Sequence, residues 1–222
     1  MQKYKDILLN RKDAAIQLVD VIPMQKLKEQ QWYIVAMSKG GLELAYHLRG
    51  RYKNPIDILF SEAITAPNNP ECEIARVSET EEIVIHEDLV SSFDIQLDYI
   101  YGEAHRKHEE GILSNIYQFR KGKPFESMRD KVVLLIDEGS ETGTKFMTAL
   151  KTVLAQSPKA VYIAVPVIPT DVLEVLEHFV DNLFFLYDID DYVETPLYYK
   201  KLEPVTDETI EKILEDKDID AI

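Results

Sequence analysis

The stretch VVLLIDEGSETGT, from Val132 to Thr144, decides the fold of this chain. Its apolar run leads into two acids, Asp137 and Glu138, and then into a short segment with two glycines, several hydroxyl side chains and a third acid, Glu141. The apolar run predicts a buried strand, and the residues that follow Thr144 have the spacing of a helix. A strand-to-helix loop that combines acids, glycines and hydroxyls needs a chemical explanation.

Similar apolar runs alternate with helical patterns along the rest of the chain. Strands are predicted at residues 32–37, 56–60, 81–87, 131–137, 160–167 and 182–189, and helical patterns at 4–21, 42–50, 93–119, 144–156, 171–179 and after Thr206, which can cap a last helix. This alternation predicts an α/β protein with a doubly wound, mostly parallel sheet and helices on both faces. The segment 62–70, which is rich in proline and asparagine, is predicted to be a loop or a hood.

The length and composition are those of an ordinary globular protein. Of the 222 residues, 45% are hydrophobic and 29% are charged, which argues against disorder. We expect a single domain over residues 1–222, with a core at about 20–190, a small hood or flexible-loop region within about 60–92, and a C-terminal helical tail at about 204–222.

Charge and cysteine content limit the partners of the chain. Forty acids against 25 bases give a formal charge of −15, which repels nucleic acid and anionic membrane surfaces. The apolar runs are too short to cross a bilayer, the start lacks the layout of a secretory signal, and the one cysteine, Cys72, cannot form an internal disulfide. We therefore expect a cytoplasmic protein, in the form of a homodimer, whose partners are small molecules.

Glycines are concentrated in two loops. Four of the eight glycines lie in SKGG at 38–41 and in DEGSETGT at 137–144, each between a predicted strand and a predicted helix. Ligands of doubly wound sheets bind at the carboxyl ends of strands, where both loops lie. Glycine allows the backbone N–H groups to approach an anion at a helix start, and Thr142 and Thr144 add hydroxyl donors. These features are typical of phosphate binding.

The two acids indicate what carries the phosphate. The spacing matches neither a Walker loop nor a dinucleotide fingerprint. Asp137 and Glu138 could accept hydrogen bonds from vicinal sugar hydroxyls, or attract a group bound to Mg²⁺. A ribose that bears a 5′-phosphate would satisfy both the acids and the loop.

The stretch VVLLIDEGSETGT resembles the PRPP-binding motif of type I phosphoribosyltransferases. The resemblance implies that Asp137 and Glu138 face the ribose 2′- and 3′-hydroxyls and lie at the metal. It also implies that the 5′-phosphate is cradled by Gly139, Ser140, Thr142, Gly143 and Thr144. The segment VAMSKGG is similar to the pyrophosphate loop of the family, which places Ser38, Lys39, Gly40 and Gly41 beside the leaving group. AVPV at 164–167 and YYKKLEPVTDETIEKIL at 198–214 resemble a bacterial branch of predicted phosphoribosyltransferases.

Two positions depart from that pattern or add to it. Relatives in the bacterial branch tend to carry a basic pair after the second strand, where this chain has Ser61 and Glu62, so positive charge expected near pyrophosphate is absent. In purine-salvage members an acid before the Thr-Gly pair serves the base, and Glu141 matches that position.

The function implied by the resemblance is Mg²⁺-dependent transfer of phosphoribosyl from PRPP to a nitrogenous acceptor, with release of pyrophosphate. Glu141 and Lys39 would be the catalytic residues, and Glu141 favours a purine base as the acceptor. A regulatory protein that senses PRPP or a nucleotide without turnover is the alternative, and Ser61-Glu62 favours it. A flavodoxin-like or receiver domain would share the sheet but does not require Thr142-Gly143 after two acids.

Overall fold

The computed structural model describes residues 5–50 and 52–216. The strands, in chain order, are β1 (Tyr33–Ala36), β2 (Ile56–Ile58), β3 (Ser61–Ala66), β4 (Asn69–Ser78), β5 (Ile83–Ile85), β6 (Val132–Ile136), β7 (Ala160–Pro169) and β8 (Asn182–Ile189). The α-helices are α1 (Arg11–Val19), α2 (Met24–Glu29), α3 (Lys39–Arg49), α4 (Glu87–Ser92), α5 (Leu97–Lys107), α6 (Leu113–Arg120), α7 (Thr144–Leu154), α8 (Thr170–Leu176) and α9 (Asp207–Leu214). A π-helical turn (His108–Ile112) joins α5 to α6, and a 3₁₀ turn (Thr195–Tyr198) follows β8.

The central sheet has five parallel strands in the order β2-β1-β6-β7-β8. Every residue of β1 and β6 is buried, because helices cover both faces of the sheet. One face packs against α1 and α3 through residues such as Leu18 and Leu42, and the other packs against α7 and α8 through residues such as Phe146 and Leu176. The predicted doubly wound α/β fold is confirmed.

A second, smaller sheet forms the hood. Strands β3, β4 and β5 pair antiparallel, and they lie between β2 and β6 in the chain. The loop interpretation of residues 62–70 is wrong except at the turn 67–68, because pairing across the hairpin satisfies the backbone and buries Ile64. The Tyr99 hydroxyl of α5 donates to the Thr65 carbonyl at 3.0 Å and fixes the hood to the helices.

Side-chain caps set the starts of the first and the last helix. The first helix begins only at Arg11, because the Asn10 side chain accepts the backbone N–H of Asp13 at 2.9 Å and caps it. Thr206 caps α9 as predicted, by accepting the Thr209 N–H at 3.2 Å. Residues 217–222 of the predicted tail lie outside the described residues. Within the ranges 5–50 and 52–216, no helix is both long enough and apolar enough to cross a bilayer.

Candidate functional site

The two glycine loops lie against each other because β1 and β6 are neighbours and end at the same edge of the sheet. Ser38 caps α3 by accepting the Gly41 N–H at 2.9 Å, and its hydroxyl donates to the Asp137 carboxylate. A Cβ on Gly40 would overlap the Glu138 carboxylate, and one on Gly41 would lie 2.9 Å from Asp137 Oδ1. The structure thus brings the predicted residues of both loops together, and only glycine allows this approach.

Asp137 is fully buried, and both of its carboxylate oxygens have partners. Lys145 Nζ donates to Oδ2 at 2.8 Å, and the Glu138 N–H donates to Oδ1 at 2.9 Å, in addition to the Ser38 hydroxyl. Asp137 in turn raises the pKa of Lys145 above its ordinary value, an effect that outweighs the opposing effect of burial. Lys145 is the second residue of α7, so Asp137 fixes the start of that helix.

Glu138 is held from the opposite side by Arg11. Arg11 Nε lies 2.5 Å from Glu138 Oε2, and Arg11 Nη1 also donates to the Glu203 carbonyl at 2.7 Å. Burial, and then the charge of Asp137, raise the pKa of Glu138, while Arg11 opposes that rise. The Tyr199 hydroxyl donates to the Glu138 carbonyl at 2.7 Å. Helix α1 and the segment before α9 therefore position this acid.

The loop from Gly139 to Thr144 turns tightly into α7. Gly143 has a φ of 73°, and a Cβ there would lie 2.8 Å from Val172, so this position requires glycine for both reasons. The Gly143 N–H donates to Ser140 Oγ at 3.1 Å, and the hydroxyls of Thr142 and Thr144 lie 2.8 Å apart. The loop borders a cavity of about 170 Å³, together with Glu73, Arg76, Lys145 and Thr195. A cavity of this size at a helix start suits one phosphate group.

The two residues predicted to be catalytic lie apart from each other. Lys39 Nζ pairs with Asp207 Oδ1 at 2.7 Å and lies 5.1 Å from the centre of the Phe119 ring, so its charge points toward α9. The structure does not place Lys39 beside Asp137 or Glu138. Glu141 is exposed on the rim of the cavity, where its Oε1 accepts a long hydrogen bond of 3.4 Å from the Thr195 N–H.

The acids do not form a ready-made metal site. Among residues 5–50 and 52–216, no group of three or more potential metal ligands is present. Asp137 is already paired with Lys145 and Glu138 with Arg11, so both carboxylates are neutralised by protein cations. Asp137 and Glu138 as arranged therefore do not fit a Mg²⁺ ion held by the protein alone.

Three cations of the site were not found from the sequence. Arg11 is 127 residues from Glu138, and Arg76 reaches the cavity from the hood, so neither follows from local spacing. Lys145 comes directly after the motif, in the first turn of α7, so its position next to the loop could have been read from the sequence.

The structure thus combines a doubly wound sheet with a loop that carries two acids and packs against a second glycine loop. No family model matches the chain. A protein of Mycobacterium tuberculosis described as "Putative phosphoribosyl transferase" is 23% identical over 178 residues, which are 80% of this chain and 39% of that protein. The chain thus spans about two fifths of the length of this relative.

A solved structure shows the same fold. The crystal structure of TT1426 from Thermus thermophilus matches with a TM-score of 0.76 and 25% identity, and the match covers 94% of this chain and 98% of that one. The relative from Mycobacterium confirms the resemblance of this chain to phosphoribosyltransferases.

Proposed function

We propose that this chain is a phosphoribosyltransferase that transfers phosphoribosyl from PRPP to a nitrogenous acceptor and releases pyrophosphate. The observation that carries the proposal is the contact of the two loops, in which Gly40 lies against the Glu138 carboxylate at the end of β6. A sugar held at that acid would have one loop on each side. Rate enhancement then comes mainly from holding the reacting groups in position.

The two acids have different roles in this proposal. Asp137 is fully buried, whereas 22% of the Glu138 side chain is exposed. Glu138 is therefore the acid that accepts hydrogen bonds from the ribose hydroxyls. Asp137 acts through its partners, because it fixes Ser38 in one loop and Lys145 in α7, directly after the other loop. The 5′-phosphate occupies the cavity bordered by Gly139 to Gly143.

Glu141 is the residue that we assign to the acceptor. It lies on the rim of the phosphate cavity and is free of ion pairs among the contacts of the described chain. A carboxylate there can hydrogen-bond an incoming purine or remove its proton. The purine assignment rests on this residue.

Mg²⁺ enters in this proposal as part of the substrate, bound to the diphosphate of PRPP, since the acids are already paired. When bound, it neutralises charge on the leaving group. The net charge of −15 supports this requirement, because a polyanion alone would be repelled.

The same net charge supports partners that are small molecules and not nucleic acid or membranes. We also propose a cytoplasmic homodimer; half-exposed Leu97 and Tyr101 on one face of α5 are consistent with a dimer contact.

A sensor of PRPP or of a nucleotide, without turnover, is the second candidate. The pairing of Lys39 with Asp207 favours it, because this pair directs the loop's one lysine away from the two acids. Ser61 and Glu62 at the start of β3 favour it as well, since neither carries positive charge.

The deciding experiment combines turnover with binding. Purines, pyrimidines and small amines are screened for PRPP-dependent release of pyrophosphate, and ribose 5-phosphate affinity is measured in parallel. Release with one class of acceptor supports the transferase. Tight PRPP binding without release for any acceptor supports the sensor. Glu138→Gln serves as the control, because the shape is kept while the charged acceptor of the ribose hydroxyls is lost. Its ribose 5-phosphate affinity should fall more than about tenfold.

A further inference from the structure

Arg76 of the hood faces the loop that we assign to the 5′-phosphate. The side chain extends from β4, borders the same cavity of about 170 Å³ as Gly139 to Gly143, and is only 13% exposed. Its neighbours hold it in place: Nε and Nη2 donate to the Glu73 carboxylate at 2.8 and 3.0 Å, and Nη1 donates to Ser61 Oγ at 3.2 Å.

The guanidinium still has donors to offer. An arginine side chain carries five N–H donors, of which Glu73 and Ser61 take three. The hydrogen bonds formed within residues 5–50 and 52–216 leave one N–H on Nη1 and one on Nη2 for a ligand in the cavity. The fork geometry of arginine suits the paired oxygens of a phosphate better than the point charge of a lysine does.

The charge balance of the cavity shows why such a donor matters. Its ionisable lining residues are Glu73, Arg76, Glu141 and Lys145, so the charges cancel before any ligand is present. Lys145 is paired with Asp137 at 2.8 Å and Arg76 is paired with Glu73, and Arg76 is the cation that reaches the cavity from the hood. The contact with Ser61 also places this arginine beside the position where the sequence lacks the basic pair of the resembling branch.

We propose that Arg76 is a ligand-binding residue of the hood that clamps the phosphate held by Gly139 to Thr144. Glu73 opposes binding, because it occupies two donors of Arg76 and places a negative charge beside the phosphate. This inference rests on the proposed phosphoribosyl site.

The test is the affinity for ribose 5-phosphate of the unaltered protein and of three variants, measured by calorimetry. Arg76→Ala should weaken binding about tenfold or more, since charge-assisted hydrogen bonds are lost, and Arg76→Lys should restore part of it. Glu73→Gln should strengthen binding about threefold to fivefold at low salt. The opposite signs are informative, because a pair that only stabilised the hood would give weaker binding in both variants.

Arg106→Ala is the matched control. Arg106 forms ion pairs with Glu103 and Glu110 on the exposed side of α5, so this variant makes the same charge change outside the cavity. Its affinity should equal that of the unaltered protein. Unchanged affinity in Arg76→Ala, or weaker binding in Glu73→Gln, would overturn the role of Arg76 and leave the proposed function intact. No binding of ribose 5-phosphate by the unaltered protein would overturn both.

Discussion

Gly40 lies directly against the carboxylate of Glu138, which fills the space that a Cβ at position 40 would need. Arg11 holds the same carboxylate from the other side at 2.5 Å, so Glu138 cannot move away without losing its ion pair. The glycine and the acid belong to the two loops that the sequence motif predicts to bind pyrophosphate and ribose. A change in the first loop is therefore expected to disturb the second.

Gly40→Ala should weaken both ribose 5-phosphate binding and the stability of the fold. The added methyl group displaces the Glu138 carboxylate and lengthens its contact with Arg11. We expect about a tenfold loss of affinity and a loss of about 1 to 3 kcal/mol in the free energy of unfolding, as is usual for overpacking. Calorimetry and urea unfolding measure the two quantities.

Gly102→Ala is the control for this prediction. Gly102 lies inside α5, and a Cβ there would meet nothing within 4 Å. Its affinity should not change, and the helix should gain about 0.5 to 1 kcal/mol of stability. Normal affinity in a folded Gly40→Ala protein would show that the contact between the loops does not matter for the sugar.

The sheet and the two loops were predictable because their signals are local. Strand β6 is an uninterrupted apolar run, and the glycines and hydroxyls after it follow in order along the chain. Residues 62–70 were predicted as a loop or a hood, and the loop alternative is wrong although the segment contains the turn-forming residues Pro67, Asn68, Asn69 and Pro70. In the structure these residues form only the tip of a hairpin, and cross-strand pairing decides the rest.

The charge pairs of the site were not predictable, because they join elements that are far apart in the chain. The sequence shows the motif acids but not that Arg11 and Lys145 neutralise them. The contact of Lys39 was not predictable either, while its catalytic role stays a prediction. Its position in the loop suggested a catalytic role, whereas its contact with Asp207 depends on where α9 packs.

The affinity for ribose 5-phosphate should depend on pH through Glu138. Burial, followed by the charge of Asp137, raises the pKa of Glu138, so the charged form is lost as pH falls through that raised value. Ribose hydroxyls donate to the charged form, so binding should weaken in the same direction. The phosphate of the ligand itself titrates near pH 6. This titration changes the affinity of the unaltered protein and of the Glu138→Gln variant alike.

The measurement is therefore a ratio. The affinity of the unaltered protein divided by that of Glu138→Gln should be largest at about pH 8 and should approach one in acid, below the raised pKa. A ratio that does not change with pH would remove the Glu138 carboxylate from sugar binding.

Arg120→Met should destabilise the protein strongly at neutral pH. Arg120 lies between two buried acids, with Nη1 3.5 Å from Asp57 Oδ2 and Nη2 in contact with Glu79. Burial raises the pKa of both acids even beside this cation. Raised acid pKa values mean that these groups contribute stability at low pH and lose it as pH rises through the folded values. Without Arg120, the pKa values of Asp57 and Glu79 in the folded protein should rise further, so the loss of stability should continue to higher pH and be larger.

Urea unfolding at about pH 5 and about pH 8 checks this prediction. We expect Arg120→Met to lose about 3 to 5 kcal/mol in the free energy of unfolding at the higher pH, and less at the lower pH, where the acids are closer to neutral. Arg106→Met, on the exposed side of α5, should unfold like the unaltered protein at both values. An equal loss at both pH values would contradict an electrostatic role for Arg120.

PRPP should bind only when a divalent cation is present. The protein carries a net charge of −15, and the acids Glu73 and Glu141 lie on the cavity that would take the phosphate. Calorimetry with Mg²⁺ and with EDTA measures the requirement. Ribose 5-phosphate, which lacks the diphosphate, should bind about equally under both conditions and is the control. Equally tight PRPP binding in EDTA would contradict the entry of Mg²⁺ with the substrate.

Glu141→Ala should lower kcat by roughly 10² to 10⁴ without loss of the fold, if the carboxylate serves the incoming acceptor as a general base. The fold should survive because the side chain is exposed and accepts a long hydrogen bond, 3.4 Å from the Thr195 N–H.

If Glu141 is only a solvated acid beside the phosphate, the Glu141→Ala variant should show the opposite pattern of affinity and rate. Removal of the acid would strengthen ribose 5-phosphate binding by up to about 1 kcal/mol, a gain that high salt reduces, and would leave kcat unchanged. Affinity and steady-state rate measured on the same variant decide between the two, and tighter binding at an unaltered rate would remove Glu141 and the purine acceptor from the proposal.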